Sequence, residues 1–353
     1  MEWAKPGFSR EDINLAGKKI VQWDFDKPDF TQAVEIVSNF RAAHAYPLNI
    51  IQHRLRILAS DIDKSVIVAQ RLKRFLSIVA KLERFPKMKL WQMQDIGGCR
   101  AILSSVSDVV RLTEAIKASN IKHKLWHEDD YILEPSPVGY RSRHLMYRYY
   151  SDKVTTSIFN DMRIEVQIRT SMQHSWATTV ETVDAFTKQA LKSSRGEKEW
   201  ERFFQLMGTW MAMKEKTPPV PNTPNRQAQL KKELKQCATQ LQVEKTLRGF
   251  TTALRIAKDP VKTGKSADFY LLSLNNNTER LNIAEFKMKE LERALDMYGR
   301  VEKRIRNNKL TDAVLVSVNT IQDLKRAYPN YYADTFDFVE ELKRALRGKQ
   351  LKM

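Results

Sequence analysis

The sequence predicts an α+β fold, and three observations support this. Between residues 30 and 84, apolar residues recur every three or four positions, as they do in successive amphipathic helices. After Pro86, short apolar runs lie between Gly, Pro, Asp and Ser residues, a pattern typical of strands. Four prolines cannot continue a helix and predict a linker at 217–225. The linker separates a first domain, 1–216, from a smaller α/β domain, 226–353.

The same periodicities predict the individual elements. In the first domain, strands are predicted at 99–103, 131–133, 141–150 and 163–170, and helices at 71–84, 172–192 and 197–214. In the second domain, helices are predicted at 227–258, 287–306 and 336–346, and strands at 268–274, 279–286 and 313–318. Three asparagines join the first two of these strands, as in a hairpin.

Composition narrows the class of protein. The chain has 60 Lys and Arg against 42 Asp and Glu, a formal charge of +18, so nucleotides, nucleic acids and acidic membranes are candidate partners. Two cysteines exclude a disulfide framework and a Cys-rich zinc site. The first residues lack an apolar core of signal-peptide type, and the apolar runs elsewhere are too short to span a bilayer. We therefore expect a cytoplasmic protein that is not inserted in a membrane.

The segment 163–170 alternates strictly between apolar and polar residues. As a strand it buries its isoleucines and valine on one face and points Glu165, Gln167 and Arg169 together to the other. A row of polar heads of this kind is typical either of a binding surface or of a solvated sheet face.

A second carboxylate precedes another predicted strand. Asp95 is followed by two glycines, which let a ligand approach the backbone, and by Arg100. Mg²⁺ usually takes one or two protein carboxylates together with phosphate oxygens, so Asp95 and Glu165 on neighbouring strands would suit it. The alternative is that Asp95 is only a turn residue.

Two further segments carry polar residues at regular spacing. On the predicted helix 71–84, the residues Lys73, Ser77 and Lys81 share one face along which a phosphate chain could lie, and Arg71 reaches from its start. The alternative is an ordinary solvated face. Beyond a proline-containing loop, an extended chain from Gly139 would place Tyr140, Ser142 and His144 on one face, with Tyr140 able to stack on a purine or, alternatively, simply packed.

Taken together and in this order, these segments resemble the RelA/SpoT family of alarmone synthetases, specifically its short synthetase-only members. The resemblance covers roughly residues 40–190, and several ordered motifs of this detail are specific where each alone is weak. The matching motifs are Arg71-x-Lys73-x-x-x-Ser77-x-x-x-Lys81, Asp95-Ile96-x-Gly98-x-Arg100, Asp130-Tyr131-Ile132, Gly139-Tyr140-x-Ser142-x-His144 and Glu165-Val166-Gln167-Ile168-Arg169-Thr170.

The resemblance implies a mixed sheet flanked by helices, similar to nucleotidyltransferases. It implies a GTP diphosphokinase-like enzyme that moves the β,γ-pyrophosphate of ATP to the ribose 3′-hydroxyl of GDP or GTP. In this family's pattern Asp95 and Glu165 hold Mg²⁺ and Gln167 positions the acceptor hydroxyl. The residues expected to bind ATP are Arg71, Lys73, Ser77, Lys81 and Arg100, and those expected to bind the acceptor are Gly139, Tyr140, Ser142, His144 and Arg169.

Departures from the family pattern leave the acceptor open. Many members carry Lys in the loop before Gly-Tyr, where this chain has Ser136, and Arg141 and Arg143 are expected to project from the opposite face. Residues 182–184 also lack the Glu-His pair common in short members. Some short members are toxins that act on the tRNA 3′ end or make adenosine alarmones, which gives a second hypothesis. A third is a binding module without catalysis, against which the presence of both carboxylates argues.

The role of 226–353 also stays open. Residues 220–353 contain 26 Lys and Arg against 16 Asp and Glu, and this surplus of +10 could hold RNA or a protein partner. Since short members often form tetramers, the resemblance allows a homo-oligomer.

Overall fold

Among the residues that it describes, the computed structural model contains nine longer α-helices, nine strands, and shorter helical turns that include Leu90–Gln92 and Ser157–Phe159. Those residues are 3–22, 28–119, 121–190, 195–247, 255–256, 269–275, 280–287, 290, 293–294, 297–298, 300–301, 311–317 and 335–347. The helices are α1 (Arg10–Val21), α2 (Pro28–Ala43), α3 (Ala45–Ile62), α4 (Phe75–Arg84), α5 (Val106–Ala118), α6 (Ser171–Ala190), α7 (Arg195–Glu215), α8 (Gln227–Gln240) and α9 (Phe336–Arg347). The strands are β1 (Ile67–Leu72), β2 (Gly97–Leu103), β3 (Lys124–Asp130), β4 (Arg143–Arg148), β5 (Arg163–Thr170), β6 (Arg255–Ile256), β7 (Phe269–Asn275), β8 (Arg280–Phe286) and β9 (Thr311–Ser317).

All nine strands form one mixed sheet in the order β3-β4-β5-β2-β1-β9-β7-β8-β6. The pairs β2–β5 and β6–β8 are parallel, and the other neighbours are antiparallel. Helices pack against the sheet, so the predicted α+β fold with a mixed sheet is confirmed. Within the described ranges, no helix combines enough length and apolar character to cross a membrane.

Strand β1 corrects the prediction of a helix over 71–84. Residues 67–72 lie between β2 and β9 and are buried on both faces of the strand, apart from the partly exposed Arg71. The strand begins with Ile67 and Val68, and β-branched residues favour extended backbone. Helix α4 begins only at Phe75, so Arg71 lies on a strand and Lys73 on the connection after it.

The strand predicted at 131–133 is also wrong, because β3 ends one residue earlier. The Asp130 carboxylate accepts hydrogen bonds from the backbone N–H groups of Ile132 (3.0 Å) and Leu133 (3.1 Å). An aspartate that bonds the backbone ahead of it in this way closes a turn. The chain therefore turns away at Tyr131 instead of extending the sheet.

The core of the first domain lies on the face of the sheet opposite to the polar row of β5. Ile164, Val166 and Ile168 are at most 1% exposed and pack with apolar residues of α3 and α5. Each fully buried large aliphatic side chain contributes roughly 1.5–3 kcal/mol. The alternation predicted for 163–170 is thus confirmed, and the polar residues of β5 face the other way.

Residues after 217 pack closely on the first domain. Helix α9 joins α6, α7 and α8 in one apolar cluster, where the Glu341 carboxylate accepts hydrogen bonds from Trp210 Nε1 and Lys214 Nζ, both at 2.8 Å. Val220 is 1% exposed, and β9 pairs with β1. A division into domains at 217–225 therefore stays a prediction.

In this part of the chain the elements agree only partly with expectation. The strands predicted at 268–274 and 279–286 correspond to β7 and β8, and the connection between them falls outside the described residues. The strand predicted at 313–318 corresponds to β9, and the helix predicted at 336–346 corresponds to α9. The helix predicted over 227–258 is too long, because α8 ends at Gln240 and Gln242 adopts a positive φ of 48°. Most of the helix predicted over 287–306 lies outside the described residues.

His44 connects α2 and α3 behind the start of β2. Its imidazole is 1% exposed, and Nδ1 donates to the carbonyl oxygen of Phe40 at 2.7 Å. Burial lowers the pKa of His44 from 6.5 to about 4, and the hydrogen bond to Phe40 only partly opposes this. The folded protein therefore holds His44 neutral at a pH at which the unfolded chain protonates it.

We expect the free energy of unfolding to fall as the pH drops from 6.5 towards 4, by at most about 1.4 kcal/mol per pH unit from His44 alone. The sign follows because the unfolded state binds the extra proton in this window. Urea unfolding at pH 6.5 and pH 5 should show a smaller pH dependence for His44→Gln, whose amide can still donate to Phe40. The matched control His127→Gln alters an imidazole that is 46% exposed. Equal pH dependence in wild type and His44→Gln would contradict the prediction.

Candidate active site

A cleft opens on the polar face of the sheet where β1, β2 and β5 lie side by side. Strand register brings Arg71, Gly98 and Glu165 into one row and Arg100 and Gln167 into the next. Six of the thirteen predicted site residues line this cleft, so the structure brings them together, and their roles stay predictions. The lining residues are Arg71, Lys73, Asp95, Gly98, Cys99, Arg100, Glu165 and Gln167.

Asp95 lies between two lysines on one side of the cleft. Its two carboxylate oxygens accept from Lys73 Nζ (2.7 Å) and Lys81 Nζ (2.9 Å). A backbone hydrogen bond from Lys73 N–H to the carbonyl oxygen of Ile96 (2.8 Å) holds this connection beside Asp95. Burial opposes the charged carboxylate, but the two ammonium groups outweigh it and lower the pKa of Asp95. Asp95 is therefore an ion-pair residue and not merely a turn former.

Glu165 is held from both sides. Its residue is only 8% exposed, His144 Nδ1 lies 3.1 Å from Oε1, and Gln167 Nε2 donates to Oε2 at 2.8 Å. Burial alone would raise the pKa of Glu165, but the hydrogen bond and charge of His144 outweigh it and lower the pKa. Burial likewise disfavours a charged His144, whereas Tyr140 and Glu165 favour it and raise the pKa of His144 to about 9. The pair is accordingly ionised at neutral pH.

The two carboxylates influence each other across the cleft. The negative charge of Asp95 raises the pKa of Glu165, which offsets part of the lowering by His144. In the described part of the chain, no three His, Cys, Asp or Glu side chains are grouped so that they could hold a metal ion by themselves. Two carboxylates beside Lys and Arg side chains are a donor set that Mg²⁺ uses when phosphate oxygens complete its shell. The residues present therefore fit Mg²⁺ together with a phosphate ligand.

Arginines extend the positive charge along β2 and β5, from Arg100 in the cleft lining to Arg169 outside it. Arg100 is 6% exposed and Arg169 is 2% exposed, with Arg169 Nη2 lying 2.6 Å from His174 Nδ1. Burial, followed by the charges of Arg100 and then Arg71, lowers the pKa of Arg169 to about 10, although Tyr140 opposes this. Like charges held this close favour an anion between or above them.

The loop before β4 is shaped by Gly139. Its φ is +100°, and a Cβ here would lie 3.1 Å from the Trp176 ring and 3.3 Å from the carbonyl oxygen of Phe204. Glycine alone tolerates both the conformation and the close packing on α6 and α7. Next to it, the hydroxyl of the partly buried Tyr140 accepts a 2.8 Å hydrogen bond from Nε2 of the charged His144. Gly139 therefore fixes the backbone that presents Tyr140 to His144 and, through it, to Glu165.

The remaining predicted residues lie outside the cleft lining. Ser142 is fully buried and its hydroxyl donates to the carbonyl oxygen of Ile168 at 3.2 Å, so it ties β4 to β5. Ser77 is partly buried on α4 and is not among the lining residues. Lys81 is not a lining residue either, but its ammonium group contacts the lining residue Asp95. The binding roles expected for Ser142, Ser77 and Lys81 stay predictions.

Ser136 has a defined structural task. Its hydroxyl accepts a hydrogen bond from the backbone N–H of Tyr140 at 3.0 Å, which closes the turn 136–140. Arg143 donates from Nε to Asp130 at 2.9 Å, and Arg141 donates to the carbonyl oxygen of Ile132 at 3.1 Å. Both arginines thus bond to groups of the protein, and neither takes the place of the Lys that many family members carry in the loop before Gly-Tyr.

The sequence analysis assigned no site role to two residues that shape the site, Tyr131 and His174. Tyr131 packs edge-on against Tyr140 (ring centroids 5.8 Å apart) and His144 (5.2 Å). Its place in the Asp-Tyr-Ile motif was a usable signal. His174, which contacts Arg169, lies on α6 only one turn after β5, a proximity that no periodicity in the sequence shows.

Comparison with known proteins identifies relatives over the same part of the chain. A family model described as a region found in RelA/SpoT proteins matches residues 70–187. The chain is 34% identical over 166 residues to the GTP pyrophosphokinase YjbM of Bacillus subtilis, covering 44% of this chain and 70% of the relative. It is 34% identical over 120 residues to YwaC, a GTP pyrophosphokinase of the same organism, covering 31% of this chain and 52% of the relative.

Solved structures give a looser match. The B. subtilis small alarmone synthetase 1 bound to its product pppGpp is 22% identical, with a TM-score of 0.42, covering 48% of this chain and 88% of the other. The B. subtilis small alarmone synthetase 2 is also 22% identical, with a TM-score of 0.42, covering 50% and 93%.

The packing of Gly139 yields a stability prediction. We expect Gly139→Ala to lower the free energy of unfolding by about 1–3 kcal/mol, because alanine is strained at positive φ and its Cβ would make tight contacts with the Trp176 ring (3.1 Å) and the carbonyl oxygen of Phe204 (3.3 Å). Gly7→Ala is the matched control, since a Cβ there meets only Asn39 at an ordinary 3.6 Å. Denaturant unfolding of both variants measures the difference. Equal stabilities would contradict the role assigned to Gly139.

Proposed function

Because the chain belongs to the RelA/SpoT family, we propose that it is a pyrophosphokinase that uses ATP to pyrophosphorylate the ribose 3′-hydroxyl of GDP or GTP. The observation that carries this proposal is the convergence of Asp95 and Glu165 on a single cleft lined by Arg71, Lys73 and Arg100. Both curated relatives named above are GTP pyrophosphokinases, which supports the assignment. In the reaction, the acceptor 3′ oxygen bonds to the β-phosphorus, the bond from that phosphorus to the α,β-bridging oxygen breaks, and AMP and the hydroxyl proton leave.

The basic side of the cleft would bind the triphosphate. Phosphoryl transfer requires mainly positioning and cations placed against the charge that develops on the transferred group. Arg71 and Arg100 come from neighbouring strands, and Lys73 and Lys81 approach from the connection and helix above. The two lysines share Asp95, so each can turn an N–H group to a phosphate oxygen while keeping its ion pair. Ser77, on α4 between them, would lie at the edge of this surface.

Mg²⁺ is the cofactor that we infer for the site. Asp95 and Glu165 would hold it, with the remaining ligands supplied by phosphate and water. When bound, the ion would neutralise phosphate charge and polarise the β,γ-pyrophosphate. The protein itself contributes the fixed carboxylates: Gln167 and His144 orient both oxygens of Glu165, and Lys73 and Lys81 orient those of Asp95.

The aromatic side chains of Tyr131 and Tyr140, beside the cleft, would bind the acceptor. Tyr140 presents a ring that can stack on a purine, and its hydroxyl is fixed by His144. Gln167 donates its amide N–H to Glu165 and so directs its amide oxygen to accept a hydrogen bond from the acceptor hydroxyl. The buried Arg169 would add positive charge near the acceptor phosphates. Gly139 and Ser142 would act indirectly, by holding the backbone of the loop and of β4.

A second acceptor class is favoured by the structure of the loop. Ser136 closes the turn with Tyr140, and the segment 131–140 contains neither Lys nor Arg. A free nucleotide that depends on its 5′-phosphates for binding gains little from such a loop. The tRNA 3′ end, on which some toxin-type members act, is therefore the alternative acceptor that this loop favours. An adenosine nucleotide, which carries 5′-phosphates as GDP and GTP do, stays an alternative from the resemblance alone. A homo-oligomer and an RNA or protein partner for the basic C-terminal residues remain expectations from the sequence.

The deciding experiment is a transfer assay with ATP labelled in the β or γ position. Purified protein and Mg²⁺ are incubated separately with GDP, GTP, AMP and deacylated tRNA, and the labelled products are separated. Label on GDP or GTP supports the leading proposal, and label on tRNA or AMP supports the alternative. Failure of all acceptors to gain label, in protein shown to be folded, would overturn both.

We expect Glu165→Gln and Asp95→Asn each to reduce transfer by about 100-fold or more, because each removes a charge from the inferred metal site. Circular dichroism and thermal unfolding should show that both variants remain folded. Asp152→Asn is the matched control, since Asp152 pairs with Lys122 on the surface and is 60% exposed. Full activity in either cleft variant would refute the assignment of that carboxylate.

Substitutions of the two adjacent glycines of β2 should have different effects, one on ATP binding and the other on the stability of the fold. A Cβ on Gly98 would meet only Glu165, at 3.9 Å, and would project into the cleft, whereas a Cβ on Gly97 would lie 2.8 Å from Ile164. We expect Gly98→Ala to fold normally but to raise KM for ATP by about tenfold through loss of close approach. Gly97→Ala should instead lower the unfolding temperature. Steady-state kinetics and thermal unfolding of both variants test this, and unchanged KM in Gly98→Ala would contradict it.

A further inference from the structure

A second cluster of charged and aromatic side chains lies on the same face of the sheet as the cleft. Arg163 is two residues before Glu165 on β5, and its cross-strand partner on β4 is Arg148. Met146, the cross-strand partner of Glu165, separates this cluster from the carboxylate row. Since residues i and i+2 of a strand are about 7 Å apart on one face, the cluster adjoins the cleft directly.

Trp126 lies at the centre of this cluster. The guanidinium carbon of Arg148 is 5.1 Å from the centre of its ring system, and that of Arg163 is 4.9 Å away. Strand β3 has a bulge between Leu125 and His127, and a bulge of this kind redirects the extra side chain. Trp126 is thereby brought against the two arginines, and the residue stays 37% exposed although both guanidinium groups contact its ring.

Positive charge in the cluster is largely uncompensated. Neither Arg148 nor Arg163 forms an ion pair within the part of the chain that the structure describes, and Lys124 is the cross-strand neighbour of Arg148. One guanidinium nitrogen of Arg163, Nη1, donates to the carbonyl oxygen of Gln92 at 2.6 Å, which leaves its other N–H groups for a ligand. Arg10 also lies near and pairs with Asp161 at 2.8 Å. Burial and then the charges of Arg148 and Arg10 lower the pKa of Arg163, although Asp161 opposes this, so the cations are close enough to repel. An anion placed here would relieve that repulsion.

The combination of an exposed indole with guanidinium groups favours one type of ligand. Flexible single-stranded nucleic acids bind through bases that stack on aromatic rings and phosphates that contact arginines. Duplex RNA is read mainly across its wide minor groove, which a single ring at a strand edge does not match. An acidic peptide would use the arginines but gains little from an exposed tryptophan.

We propose that Trp126, Arg148, Arg163 and Arg10 form a docking surface for single-stranded RNA beside the cleft. One base stacks on Trp126, and the flanking phosphates contact Arg148 and Arg163. Arg10, on the first helix, extends the basic path away from the cleft. The inference concerns binding and holds whichever acceptor the enzyme uses, so its failure and that of the proposed function are distinguishable.

The test is fluorescence anisotropy of the full chain with a labelled single-stranded RNA of about 10 nucleotides, between about 50 and 200 mM salt. We expect salt-dependent binding by the wild type. Arg148→Ala and Arg163→Ala should each weaken binding by about tenfold and reduce the slope of log K against log salt by about 1. Trp126→Ala should weaken binding about tenfold with little change in slope, and Trp126→Phe should recover much of the loss.

Lys87→Ala is the matched control, because it removes one positive charge from an exposed position outside the cluster. Thermal unfolding checks that every variant is folded. Absence of single-stranded RNA binding by the wild type would overturn the proposal. So would equal weakening by Lys87→Ala and the arginine variants, or equally strong competition by duplex RNA or polyglutamate, since each indicates a non-specific attraction of anions.

Discussion

The parallel pairing of β2 with β5 is the constraint on which the site depends. The register sets Gly98 beside Glu165 and Arg100 beside Gln167, so a position without a side chain and then a cation lie next to the strand that carries the polar row. The opposite faces of the two strands bury their apolar residues under α3 and α5. If β5 shifted by one residue against β2, its polar side chains would point into that core. Because burying them would be unfavourable, the core fixes the register of the two strands. The position of the cleft is thus a consequence of how the core is packed.

Electrostatics then decides what the cleft can do. Removing a carboxylate from water costs several kcal/mol unless it is paired and hydrogen-bonded, and both acids here meet that condition. Glu165 is held by His144 and Gln167, and Asp95 by two lysines. The arginines on β1, β2 and β5 leave the cleft with excess positive charge. Such a site holds its own acids in fixed positions and is ready for a ligand with several negative charges.

Local patterns in the sequence predicted much of the fold and the site, but not all of it. Strict alternation located β5 and its polar row, and motif order located Asp95 and the lysines near it. Helical spacing failed at 67–72, because neighbours distant in the sequence make that segment a strand. The turn at Asp130 depended on one side chain bonding to the backbone ahead of it. The tie between Arg169 and His174, and the placement of Trp126 by a bulge, depend on tertiary geometry that no periodicity records.

The pairing of β9 with β1 has a consequence for how the protein is made. Arg71 lies on a strand whose outer neighbour is formed by residues 311–317, far later in the sequence. During synthesis, β1 and the strands β2 to β5 leave the ribosome before that neighbour exists. Until then β1 presents open N–H and C=O groups, an edge at which another chain could add itself. Completion of the nascent sheet is therefore a late event, and premature termination before residue 311 would leave a product prone to self-association.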